Sequence, residues 1–99
     1  MMEIKGKFYF DPRDSIYDDH FPGNPVVPGS IIVSAFLVAG KEAGFLEESW
    51  RIENFRFKGF VSPGEYTYII ERHPNDMKCR LLVGNGESSN TLVTGTIKK

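Results

Sequence analysis

An α+β fold, an antiparallel β-sheet wrapped around one long central helix, is what this sequence predicts, and three observations carry it. The first is a helix-favouring run over residues 29 to about 44, in which Ile31, Ile32, Val33, Ala35, Phe36, Leu37, Val38 and Ala39 cover every angular position around the axis. A helix apolar on all sides is expected to be buried on all sides, so something has to wrap it. The second is period-two alternation before and after that run, the mark of strands with one buried face. The third is Gly84-Asn85-Gly86 between two such segments, the preferred chemistry of a tight antiparallel turn.

Taken in order, residues 5–10 alternate charged, small and aromatic side chains and stop at Asp11-Pro12, which predicts a short strand ended by a turn. An irregular loop runs from there to Pro28. The helix follows, with Gly29 or Ser30 placed to cap its start and Gly40 or Gly44 to end it. Residues 54–61 alternate, Ser62-Pro63-Gly64 supplies a turn, and residues 66–72 are expected to be the hairpin partner. Residues 77–83 and 91–97 flank the Asn-Gly turn, with Glu87-Ser88-Ser89-Asn90 available to lengthen it. One sheet covers only one side of a helix, and a chain of 99 residues buries a modest fraction of its surface, so dimerisation is the expected remedy. Residues 1–99 are expected to form a single domain, without repeat, low-complexity tract or linker.

Composition narrows the function classes. Hydrophobic residues make up 40% and charged residues 25%, with a net charge of -1 and a pI near 6.1, so there is no basic footprint for nucleic acid or an anionic membrane. Residues 31–39 form the longest apolar run and fall well short of the roughly 20 a membrane span needs. Met1-Met2-Glu3-Ile4-Lys5-Gly6-Lys7 lacks the apolar core and cleavage site of a signal peptide, which points to the cytoplasm. The single cysteine, Cys79, agrees with that compartment and reads as an inert, half-buried thiol. Two separated histidines give no metal-ligand spacing, and no glycine-rich phosphate loop is present, so neither a metal nor a cofactor is expected.

The most informative tract is His20-Phe21-Pro22-Gly23-Asn24-Pro25-Val26-Val27-Pro28-Gly29, where prolines and glycines fix the path of a loop that carries an imidazole to the head of the helix. It resembles the signature of the 3-hydroxyacyl-(acyl carrier protein) dehydratases of type II fatty-acid synthesis. A second match follows in the right order, Phe55-Arg56-Phe57-Lys58 and then Val61-Ser62-Pro63-Gly64-Glu65, and together they cover about half the chain. The resemblance implies the hotdog fold, which is the arrangement the all-round apolar helix demands independently.

It also implies a chemistry. Eliminating water from a 3-hydroxyacyl thioester, to give the trans-2-enoyl thioester, needs a base for the α-proton, a donor for the developing oxyanion and an acid for the departing hydroxyl. His20 matches the family's catalytic histidine, and imidazole titrates near neutrality. Gly29 matches the oxyanion position, where a helix N-terminus offers an N–H and a favourable dipole. The third position departs from the pattern: the family carries Glu or Asp on the helix, facing the histidine of the dimer mate, and Ser34 stands there. Phe21, Pro22, Gly23 and Pro28 are carried over as substrate-binding residues. The implied substrate is an acyl chain on the phosphopantetheine arm of an acyl carrier protein, and the implied assembly is a homodimer, with a higher oligomer or a heterodimer as alternatives.

A serine hydroxyl is a weak acid, and losing a general acid costs on the order of 10²–10⁴ in rate. Glu42, eight residues on, lies about 12 Å further along the axis at 1.5 Å per residue, too far to take the same place. Asp18 and Asp19 adjoin His20, although on a loop they are more often solvated or capping. Three readings follow: a dehydratase in which His20 serves as both base and acid, an enzyme helped by a partner subunit, or a non-catalytic acyl-binding subunit. A hotdog thioesterase is a further alternative, weakened by the same missing carboxylate. Plainer readings stand beside each residue. Gly29 starts a helix whatever else it does, Ser34 equally well returns its hydroxyl to a backbone carbonyl, and His73 fits an exposed turn. Phe8, Phe10, Phe55, Phe57 and Phe60 are expected in the core, some of them beside an acyl tunnel. Lys41, Arg56 and Lys58 are solvated charges or contacts for an acidic carrier protein.

Overall fold

The computed structural model describes residues 2–17, 25–83 and 90–99. Its elements are β1 (Met2–Phe10), a 3-10 turn (Ser15–Tyr17), α1 (Gly29–Glu42), β2 (Arg51–Phe57), β3 (Gly64–Arg72), β4 (Asp76–Val83) and β5 (Asn90–Lys98). The strands form one sheet in the order β1-β3-β4-β5-β2, every pair antiparallel. The expected α+β architecture is therefore present, with α1 packed on one face of the sheet.

Alternation explains which face. In β4, Met77, Cys79 and Leu81 are buried while Lys78 and Arg80 between them are exposed. These three meet Ile70, Val93 and Ile97 from the neighbouring strands and Ile32, Phe36 and Ala39 from the helix. At Gly40 the helix comes so close to β4 that a Cβ would stand 3.0 Å from Met77 Sδ. Gly40 therefore lies inside the helix as a packing residue. The helix ends at Ala43, after which Gly44 takes φ 75°. Phe45 N donates to Gly40 O at 2.8 Å and Gly44 N to Lys41 O at 3.0 Å, the Schellman pattern that a left-handed glycine permits.

The helix start differs from expectation. Pro28, not Gly29 or Ser30, holds the cap position, with φ -58° and ψ 141° and no side-chain cap hydrogen bond. Proline fits there because its missing N–H would be unpaired anyway. Nor, among the described residues, is the helix wrapped on all sides. Ile31 is 38% and Val38 55% exposed, and Ser34 between them is exposed too, so one stripe of α1 faces away from the sheet.

The expected β2–β3 hairpin does not form. β2 pairs with β5 and β3 with β1 and β4, which puts β2 and β3 three strand positions apart. At about 4.8 Å per strand that is about 14 Å, within the roughly 20 Å reach of residues 58–63. This link is held at both ends. Lys58 N donates to Leu92 O at 2.9 Å, and Val61 O accepts from Val27 N at 2.7 Å. Between the tethers Phe60 points outward and is 84% exposed, and Phe57 is 42% exposed, so neither is the core residue its aromatic ring suggests. The β4–β5 hairpin does form, while its turn at residues 84–89 lies outside the described residues. His73 sits in the expected β3–β4 turn, its N–H donating to Asp76 O at 2.9 Å, but it is half-buried rather than exposed. Among the described residues, no helix is long and apolar enough to cross a membrane.

Candidate functional site

The first turn of α1 is built to leave donors free. Ile31 N and Ile32 N donate to Pro28 O at 3.0 and 3.3 Å, whereas the N–H groups of Gly29 and Ser30 precede the helical ladder and have no hydrogen-bond partner among the described residues. Gly29 opens onto a cavity of about 400 Å³ bordered by Val26, Pro28 and Ile32 on the helix side and by Phe57, Lys58 and Phe60 on the other. The fit is close, because a Cβ on Gly29 would stand 3.1 Å from Phe57 Cζ. An anion developing in this cavity would meet an apolar wall beside Gly29 and the positive end of the helix dipole.

Ser34 borders a different cavity. This cleft, of about 470 Å³, lies between the uncovered stripe of α1 and strands β1 and β3, with Ala35 and Val38 on one wall and Phe8, Phe10 and Tyr68 on the other. Glu42 and Lys7 border it as well. Glu42 thus shares Ser34's cleft, eight residues along the helix. Among the described residues, Gly29 and Ser34 border separate cavities.

Of the other residues expected in the site, Pro28 is at the helix cap, while His20, Phe21, Pro22 and Gly23 lie outside the described residues, as do Asp18 and Asp19. Phe57 and Phe60, expected in the core with some of the aromatics beside an acyl tunnel, border the Gly29 cavity, whereas Tyr68 was not foreseen as a site residue. Gly6 was the available signal for Tyr68, since a glycine inside a strand marks a close approach. The groups with shifted acidities lie elsewhere. Burial pushes the Cys79 thiol up to about 12 and raises Tyr66, and hydrogen bonds from Arg13 lower Asp11. Among the described residues, no group of three or more His, Cys, Asp or Glu side chains is arranged to hold a metal ion.

Residues 1–94 match the sequence profile of the ApeI-like family, described as ApeI dehydratase. The chain belongs to the ApeI-like dehydratase family. A 3-hydroxyacyl-(acyl-carrier-protein) dehydratase FabZ from Herpetosiphon aurantiacus is 36% identical over 93 residues, covering 86% of this chain and 63% of that protein. The chain spans about half to two-thirds of the length of the curated relatives it matches. Among solved structures, the dehydratase heterocomplex ApeI:P from Xenorhabdus doucetiae has a TM-score of 0.71 at 22% identity, over 97% of this chain and 85% of that one. The dehydratase domain of the polyketide PpsC from Mycobacterium tuberculosis has a TM-score of 0.77 at 19% identity, over 97% of this chain and 38% of that one. With one helix on a five-stranded antiparallel sheet, this ApeI-like dehydratase family member has the hotdog fold.

Proposed function

We propose that this chain is a single-domain, cytoplasmic 3-hydroxyacyl-(acyl carrier protein) dehydratase that works as a homodimer. The observation that carries the reading is Gly29 at a helix start, its N–H without a hydrogen-bond partner among the described residues and the residue opening onto an apolar cavity. In the reaction, His20 takes the α-proton, the thioester oxygen gathers charge against the Gly29 N–H, the C3–O bond breaks, and the hydroxyl leaves as water with a proton returned by His20. Ser34 holds the departing oxygen by a hydrogen bond. Phe21, Pro22, Gly23 and Pro28 shape the entry for the phosphopantetheine arm. Exposed Lys41, Arg56 and Lys58 suit an acidic carrier protein.

Two observations support the dimer. Ile31, Ser34 and Val38 form an uncovered stripe, and Gly29 and Ser34 open onto separate cavities, so a second chain laid on the stripe lets one site draw on both. A second reading, a subunit that binds acyl chains without catalysis inside a heterodimer, is favoured by Ser34 standing where a carboxylate acid belongs.

One assay separates the readings. The protein and a His20→Ala variant are given a 3-hydroxyacyl-carrier substrate, and enoyl product, free acid and unchanged substrate are measured together. Enoyl product that falls by at least 100-fold in the variant is expected. Equal product from both removes His20 from the mechanism, and free acid points to a thioesterase. Binding without turnover favours the non-catalytic subunit, for which Ser34→Glu should then restore activity.

A further inference from the structure

Within the aromatic cluster beneath α1, Tyr68 carries one group that packing does not require. Its ring stacks on Phe8 at 4.2 Å between centroids and meets Phe36 edge-on at 6.2 Å. A phenylalanine would keep both contacts, so the hydroxyl is the part that needs an account. At Tyr66 the hydroxyl has a structural use, because Oη donates to Ser62 O at 2.7 Å. Tyr68 Oη has no hydrogen-bond partner among the described residues.

Gly6 sets where that hydroxyl lies. The two residues face each other across β1 and β3, and the tyrosine ring lies over the glycine so closely that a Cβ there would stand 2.5 Å from Oη. Glycine inside a strand weakens it, and here it lets the tyrosine ring lie over β1, where Tyr68 borders the same cleft as Ser34.

We propose that Tyr68 is a specificity-determining residue whose hydroxyl, together with Ser34 Oγ, holds the 3-hydroxyl oxygen of the acyl chain in this cleft. The inference rests on the dehydratase reading and adds the atoms that recognise the substrate's oxygen. Two neutral hydroxyls each donate and accept, so they bind a neutral alcohol without burying a charge. The walls of Phe8, Phe10, Ala35 and Val38 suit the methylene chain around it. An enoyl or saturated chain lacks the oxygen and leaves the pair unmet, so the site holds substrate more tightly than product.

The test uses the full chain with His20→Ala to block turnover, and calorimetric titration with a 3-hydroxyacyl pantetheine thioester and the matched saturated thioester. The parent is expected to prefer the hydroxylated chain by about 3- to 10-fold. Tyr68→Phe should abolish most of that preference while leaving saturated-chain affinity and thermal stability unchanged. A preference that survives Tyr68→Phe, equal weakening toward both chains, or no preference in the parent overturns the role of Tyr68 and leaves the dehydratase reading standing. Binding of neither thioester by the parent overturns both.

Discussion

Phe55 of β2 lies with its ring across Gly95 of β5, its partner in the strand pair, so closely that a Cβ at position 95 would fall among the ring carbons. The same ring reaches Phe36 of the helix at 6.0 Å between centroids. One side chain therefore joins β2 to its edge of the sheet and to the core, and the glycine makes room for it. Gly95→Ala should cost about 1–3 kcal/mol by overpacking. In denaturant titrations, adding Phe55→Ala to Gly95→Ala should cost less than the sum of the two single changes, and strict additivity would contradict the contact.

Gly29 and Phe57 make a comparable pair at the helix start. Gly29→Ala keeps the N–H but puts a methyl 3.1 Å from Phe57 Cζ, in the cavity assigned to the thioester. Phe57 is partly exposed and able to swing aside, and alanine favours helix by up to about 1 kcal/mol over glycine, so the fold should be little affected. Enoyl formation should fall about tenfold or more while the melting temperature moves by only a few degrees. Unchanged turnover would show that the thioester does not pass beside Gly29.

The uncovered stripe of α1 gives a test of assembly. A carboxylate in the middle of an apolar contact loses its hydration without a partner. Val38 is 55% exposed within one chain, so Val38→Glu should leave the isolated chain folded and weaken the dimer by at least about tenfold, read by analytical ultracentrifugation at micromolar protein. An unchanged mass would place the contact elsewhere.

Cys79 is 1% exposed, and burial pushes its thiol up from 9.0 to about 12. The native state thus keeps a proton that the unfolded chain releases. Its contribution is fully present below pH 9 and is lost between pH 9 and about 12, with a slope approaching 1.4 kcal/mol per pH unit. Over that range, Cys79→Ala should lose stability less steeply than the unmodified protein. Identical slopes in urea titrations would mean that the thiol is not held protonated by the fold.

Local chemistry was legible in the sequence where it alone decides structure. Gly44 was one of two glycines expected to end the helix, and alternation in β4 and β5 gives their pairing, because each rests on residues near in the chain, whereas the cap fell on Pro28 and not on Gly29 or Ser30. The partner of β2 was not legible. Ser62-Pro63-Gly64 has turn chemistry and suggests a local hairpin, but Phe55 over Gly95 and the tether from Lys58 to Leu92 settle the pairing, and both are long-range. Phe60 misled for the same reason, since only those tethers turn it outward. Gly29 was readable as a helix-start residue. Its separation from Ser34 into another cavity was not, because that depends on which face of α1 the sheet covers.

The strand order also dictates a sequence of events during synthesis. β1, α1 and β2 all leave the ribosome before β3 to β5, yet among the described residues β1 pairs only with β3, and β2 only with β5. Until β3 emerges, the nascent chain holds an apolar helix and two unpaired strands, and β2 stays unpaired until β5 follows. β5 thus completes the sheet as a late clasp, and a ribosome that stalls before residue 90 leaves β2 unpaired and the chain prone to aggregate.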